Sequence, residues 1–296
     1  MTIKRASRPR VGAAILVFQL CLVSTPIFAV ASSCQEASAV QQKIEKPNAF
    51  GSDTKRVCIA DGEYEITTQN GIGPFVPAVY GFKEWWTLWK LADGSFMVTG
   101  TRSYRSPSTE SHENDFTVRL DPDLEVKNLT EFRKLEWRWD SGPISCDFLA
   151  KRIHCTSNAK RETDNVTLDL SLDHTFGFLW PISAFSLSGI SRSVSRDPRT
   201  PIPVDMVRVE EEATISDPIM ATILSGDLKY LGQETLELAG RVWQADKFEL
   251  KVPLHAPFLM WTSPEGLLLA FGTETKTKTL PADGMVLTKF RQWAQF

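Results

Sequence analysis

Histidine and tyrosine are scarce in this chain of 296 residues, with four of each, and no apolar run beyond Ala31 reaches the length of a membrane-spanning helix. Few histidines leave little room for general-base chemistry. His112, His154, His174 and His255 are accompanied by no GxSxG elbow and no HExxH pair. His174 follows Asp173, where a cap accounts for it, and His112-Glu113 lies in the polar stretch SPSTESHEND. Glu210, Glu211 and Glu212 are consecutive acids, which alternate sides of a strand and do not converge. No glycine-rich loop is built to cradle a phosphate. The pattern points away from an enzyme, and no cofactor is expected. Basic charge is also in short supply. The chain has 33 Lys and Arg against 36 Asp and Glu, and Lys4, Arg5, Arg8 and Arg10 fall in its first segment, leaving 29 against 36, about −7, for the rest. Such a surface disfavours nucleic acid and supplies no polybasic anchor for anionic lipid.

What is present begins with an address. MTIKRASRPR is basic and free of acids, VGAAILVFQLCLV is apolar, and Ala29-Val30-Ala31 offers the small-x-small pattern of signal cleavage. Residues 1–31 read as a signal peptide that is removed, leaving no integral membrane segment and placing the mature chain in the periplasm or outside the cell. Residues 32–60 read as an N-terminal segment with a short helix over EASAVQQKIEK, and residues 61–296 as a single β-rich domain.

Cysteine usage agrees with export. Cys34, Cys58, Cys146 and Cys155 remain after cleavage, an even number suited to two disulfides in an oxidising compartment. In CDFLAKRIHC, a two-residue turn at Ala150-Lys151 sets Cys146 opposite Cys155 in a non-hydrogen-bonded pair, where side chains approach most closely. Cys146–Cys155 is the favoured bond, which leaves Cys34 for Cys58. A metal site at Cys155 and His154 lacks a CxxC pair or a second histidine at ligand spacing, so no metal is expected.

Stretches such as DGEYEITTQ, SFMVTGTRSY, DFTVRL, TEFRKLEWRW, NVTLDLSL, DMVRVEEEATI, TLELAG, RVWQADKFELKV, GLLLAFGTETKT and MVLTKF alternate apolar and polar residues. Turn signals separate them at Asn70-Gly71, Asp93-Gly94, Asp121-Pro122, Ser141-Gly142, Pro264-Glu265-Gly266 and Asp283-Gly284. The predicted fold is mainly β: a single antiparallel meander forming a curved sheet or incomplete barrel. One interruption stands out. DHTFGFLWPISAFSLSGIS, residues 173–191, spaces Phe178, Leu179, Ile182, Phe185 and Ile190 at mostly helical intervals, and an apolar helical segment in the concavity of the sheet is predicted there.

Tryptophan is the conspicuous residue type. KEWWTLWKLADGSF, residues 83–96, holds Trp85, Trp86 and Trp89. A two-residue turn at Asp93-Gly94 pairs Leu91 with Phe96 and Trp89 with Val98, which puts Trp85 and Trp89 on the inner face and Trp86 on the other. TEFRKLEWRW sends Trp137 and Trp139 to one face in the same way. Trp85, Trp89, Trp137, Trp139 and Trp243 are therefore the candidate lining of an aromatic cavity, with Phe178 and Trp180 as its plug.

ETLELAGRVWQADKFELK and FLMWTSPEGLLLAF carry a strand ending in Ala239-Gly240, a partner alternating Val242, Ala245, Phe248 and Leu250, and a Trp261-x-Ser263 strand turning at Glu265-Gly266. In these features the chain resembles secreted bacterial β-sheet domains of the periplasmic lipoprotein carrier and lipoprotein-localisation type. The resemblance implies an incomplete barrel wrapped around helices. Together these readings predict an exported, non-catalytic protein that binds a hydrophobic small molecule or lipid in an aromatic β cavity. Two other readings stay open: a structural or partner-binding β module with a filled core, and an outer-membrane β-barrel, against which the few tyrosines weigh because its interface girdles are aromatic.

Overall fold

The computed structural model of the protein describes residues 56–66, 80–105, 111–134, 141–149, 152–159, 166–171, 175–179, 189–192, 194–210, 220–273 and 284–296. The expected signal peptide, the helix over 36–46 and Cys34 lie outside these residues. Fifteen strands are present among the described residues: β1 (Arg56–Ile66), β2 (Tyr80–Leu91), β3 (Phe96–Arg105), β4 (Ser111–Leu120), β5 (Val126–Lys134), β6 (Ser141–Leu149), β7 (Arg152–Ala159), β8 (Val166–Ser171), β9 (Thr175–Leu179), β10 (Ile202–Glu210), β11 (Met220–Leu238), β12 (Arg241–Lys251), β13 (Phe258–Thr262), β14 (Leu268–Thr273) and β15 (Gly284–Gln292).

All fifteen join one sheet, in the order β8-β7-β6-β5-β4-β3-β2-β1-β15-β14-β13-β12-β11-β10-β9. Two meanders, β1 to β8 and β9 to β15, are sewn together by the antiparallel β1–β15 ladder. Every neighbour is antiparallel except β9, which lies parallel to β10. The sheet is not closed, since β8 and β9 are its two edges. Only residues 172–174 separate these edges in the chain, a link that spans at most about 14 Å. The sheet must therefore roll until its ends approach one another.

A closed barrel of about this many strands would surround a water-filled channel. Here part of the sheet is covered on both of its faces. Strands β13 and β14 are buried on both faces almost throughout, as are the first four residues of β15. On β3 and β4 burial alternates with the pleat, and the packed face carries Phe96, Val98, Phe116, Val118 and Leu120. One inner row runs Ala60, Leu88, Val98, Val118, Leu129, Cys146, Cys155 in direct register across seven strands, every member fully buried. A second runs Ile66, Met285, Phe271, Met260, Phe248, Tyr230 across the other half.

Several expectations change. No α-helix occurs among the described residues, so the apolar helical segment predicted over 173–191 is corrected: Thr175–Leu179 is the edge strand β9, and Gly189–Ser191 is a single 3-10 turn. The reason is local composition and a partner, because Thr175, Phe176 and Phe178 are good strand formers and β10 offers a ladder from Val204 to Arg208. Helical spacing of apolar residues could not register that partner. Strand β11 is also far longer than the predicted TLELAG, reaching back to Met220, since Gly226, Asp227 and Gly232 disguise it. Ser141-Gly142 lies inside β6 and is not a turn.

The β2–β3 hairpin departs from its predicted register by one residue. Leu91 N donates to Ser95 O at 2.9 Å and Gly94 N to Leu91 O at 3.1 Å, so the loop is Ala92-Asp93-Gly94, with Gly94 at a φ of +83°. Lys90, not Leu91, faces Phe96, and Leu88, not Trp89, faces Val98. A one-residue slip exchanges the faces of the whole strand. The inner residues of β2 are therefore Phe82, Glu84, Trp86 and Leu88.

Two leucines hold left-handed backbone, at a cost of roughly 1–2 kcal/mol each. Leu124 (φ 65°) repays it by burial, but Leu254 (φ 67°), in the β12–β13 turn, is fully exposed. Leu254→Gly is expected to raise the thermal midpoint of the protein by a few degrees. Calorimetry checks this, and a fall would show that Leu254 makes a stabilising contact.

Candidate functional site

The candidate aromatic lining is not one cluster. Trp85 and Trp89 lie on the face of β2 opposite Trp86, where Trp89 is still buried: its Nε1 donates to Thr99 Oγ1 at 3.0 Å and Arg56 lies 4.7 Å over the ring. Trp86 is the inward indole. It packs over Gly62, stacks on Tyr64 at 5.9 Å between centroids and lies 6.2 Å from Phe290. Trp243 meets Phe290 edge-on at 5.0 Å, with Arg241 4.6 Å over the indole. Phe178 is placed by its backbone only, opposite Val207. Trp137, Trp139 and Trp180 lie outside the described residues.

The β6–β7 hairpin has the register read from CDFLAKRIHC, with Leu149 opposite Arg152, Phe148 opposite Ile153, Asp147 opposite His154 and Cys146 opposite Cys155. Cys146 and Cys155 form the disulfide, with Cα atoms 4.0 Å apart. Cys58 is also disulfide-bonded; Cys34, the partner expected for it, lies outside the described residues.

The inner face of β1 to β4 interlocks. Trp86 and Phe116 alternate in register with Gly62 and Gly100, so each large ring sits over a position that has no side chain. The adjacent row is polar: Tyr64, Glu84, Arg102 and Asn114 follow one another across four strands, all buried. Burial and the charge of Glu84 together hold the Tyr64 hydroxyl far above the ordinary tyrosine pKa, and it donates to Leu268 O at 2.8 Å. This half is packing with a polar stripe through it.

The other half holds the more unusual arrangement. Tyr230 and Gln233 are three positions apart on β11 and would point to opposite faces of a regular strand. A bulge intervenes, with Gly232 at a φ of +124°: Tyr230 opposes Phe248, Gly232 opposes Lys247 and Gln233 opposes Asp246. The extra residue turns both side chains to one face, that of Phe248 and Asp246. There Asp246, almost wholly buried, accepts hydrogen bonds from Gln233 Nε2 at 3.0 Å and Tyr230 OH at 3.3 Å. Burial first, and then the carboxylate charge, raise the pKa of the Tyr230 hydroxyl.

A third donor comes from outside the sheet. Arg196 Nη2 donates to Asp246 Oδ2 at 2.8 Å, and the guanidinium carbon lies 5.7 Å over the Tyr230 ring and 5.6 Å over Phe248. Its other arm donates to the carbonyls of Ser191 and Val194 at 2.8 and 3.3 Å. Ile190 and Val194 are buried beneath the same segment, while Arg192 bonds Asp123 Oδ1 at 3.2 Å in the β4–β5 turn. Residues 189–192 and 194–197 thus strap the β4–β5 turn to the face of β11 and β12. Side chains hold the strap down, where backbone ladders hold the wall.

Arg192, Arg196 and Arg199, interrupted by Asp197 and Pro198, have the local pattern of a solvated loop. That suits Arg199, which pairs with Asp197 in the open. It misses Arg196 because the buried carboxylate lies 50 residues downstream. One signal could have found the site: Gly232 inside an alternating strand marks a bulge, and Asp246 breaks the apolar alternation of β12.

No family model matches the chain, and no curated protein matches it. A solved structure, the crystal structure of a β-barrel-like protein of domain of unknown function DUF1849 from Brucella abortus, is similar to it with a TM-score of 0.44 and 11% sequence identity, over 81% of this chain and 99% of that chain. The mainly β sheet agrees with the expected resemblance at the level of a β fold, but not with the lipoprotein-carrier type in particular.

Proposed function

We propose that the protein is exported, is not an enzyme, and binds an apolar or amphiphilic molecule at the Tyr230 and Phe248 end of the sheet, beneath the strap that carries Arg196. The observation that carries this reading is the strap. It covers the Tyr230 and Phe248 end of an apolar row rich in Phe and Met, a surface able to accommodate a chain of variable shape. Displacing a side-chain-held cover breaks no ladder, so this is the part of the roll that opens at least cost. The resemblance to lipoprotein carriers supports the same ligand class. Export is supported by the leader and by the disulfide, and the acidic outer positions Asp61 and Glu65, ion-paired to Arg291 and Lys83, speak against a lipid-facing wall.

Recovery of the protein from the cell envelope with an intact mass starting at Ser32 is the expected sign of export. Titration with dodecyl-chain amphiphiles should give a saturable change in tryptophan emission and a bound species in native mass spectrometry. No binding of any amphiphile, charged or neutral, would favour the second reading, a β module with a filled core. The interlocked Gly62, Trp86, Gly100 and Phe116 support that reading for the β1–β4 half.

A further inference from the structure

We propose that Asp246, Gln233, Tyr230 and Phe248 form a receptor for a guanidinium or alkylammonium group, and that Arg196 fills it as a ligand supplied by the same chain. The receptor and its occupant have different structural standing. Asp246 is 3% exposed and fixed on laddered strands, whereas the Arg196 side chain is 42% exposed and belongs to the strap. The donors on Asp246 and the bulge at Gly232 orient the carboxylate toward the strap side. Two aromatic rings complete a cage that favours a flat, weakly hydrated cation.

The arrangement determines which ligand can enter. Removing Arg196 without replacement would leave a buried carboxylate short of its charge partner, which is strongly unfavourable. A ligand bringing its own cation avoids that penalty, and Arg196 rotates into solvent. An anionic head group would sit beside Asp246 and is excluded. The ligand is therefore a cationic amphiphile, with its head in the cage and its chain along the Phe248, Met260 and Phe271 row. The chain rests on the amphiphile reading above, but the cation site stands without it.

The test uses the mature full-length protein. Arg196→Ala is expected to lower the thermal midpoint, and millimolar ethylguanidinium to restore it saturably while the neutral isostere ethylurea does not. Arg196→Ala/Asp246→Asn should show no restoration. Dodecylguanidinium should act at a concentration at least about tenfold lower than ethylguanidinium, because its chain is buried as well. Wild type should need more of either, since Arg196 competes. No restoration in Arg196→Ala, or equal restoration in the double variant, overturns the cage. Restoration by ethylguanidinium with no gain from the dodecyl chain keeps the cage and removes the amphiphile reading; binding of dodecanoate without any response to ethylguanidinium does the reverse. If Arg196→Ala does not fold, Arg196→Lys carries the test: ethylguanidinium should raise its midpoint more than that of wild type, and an equal or smaller rise overturns the proposal.

Discussion

Gly100→Ala is expected to destabilise the protein by about 3 kcal/mol or more, at the upper end of what overpacking costs. A Cβ on Gly100 would lie 2.3 Å from the backbone oxygen of Trp85 and 2.4 Å from Cζ of Phe116. The ring could shift, but the carbonyl belongs to a strand laddered on both sides and cannot. Combining Gly100→Ala with Phe116→Leu should therefore recover only part of the loss. Gly94→Ala is the useful contrast. That glycine has nothing near its missing Cβ and pays only for its φ of +83°, so about 1–2 kcal/mol is expected. Urea unfolding of the three variants checks the order. A Gly100→Ala protein no weaker than Gly94→Ala would show that the inner rows are not interlocked.

The second large effect is expected at Glu84 and Arg102. They face each other across β2 and β3 at full burial, where opposed Cβ atoms are about 5 Å apart and opposite charges attract through little solvent. Glu84→Gln or Arg102→Met alone should cost about 3–5 kcal/mol, because each strands the other charge in the interior. The double variant should cost less than the two singles summed, and a double-mutant cycle with no coupling would refute the pairing. Glu84→Gln should also bring the Tyr64 hydroxyl pKa down toward its ordinary value, since the carboxylate charge is one of its two causes. Burial remains the other.

The strand pattern was largely legible because alternation is a local property. The Cys146–Cys155 pairing was legible for the same reason, a short hairpin whose turn fixes everything around it. What failed was one residue of turn length. Asp93-Gly94 fits a two-residue loop and a three-residue loop equally well on paper, and the difference sends Trp86 inward and Trp85 and Trp89 to the opposite face. The apolar stretch after Asp173 failed differently. Its helical spacing is real, but β10 gives Thr175–Leu179 a parallel partner that local pattern cannot reveal. The cage could not be read either, because its parts come from Arg196, Tyr230, Gln233 and Asp246 and meet only through a bulge and a strap. Tertiary convergence of that kind leaves only weak marks, a glycine or an acid slightly out of pattern.

The β1–β15 ladder has a kinetic consequence. Every other pairing joins strands that follow one another in the chain, so each meander can zip up from its own turns. The β1–β15 ladder alone must bring together residues such as Glu63 and Lys289, 226 positions apart. Closing a loop of that length is an entropic barrier that no local contact repays in advance. Folding should therefore show a fast phase, in which the two meanders form independently, and a slow one limited by their union. A chain severed between β8 and β9 should reassemble from its two halves, with the β1–β15 ladder as their backbone seam.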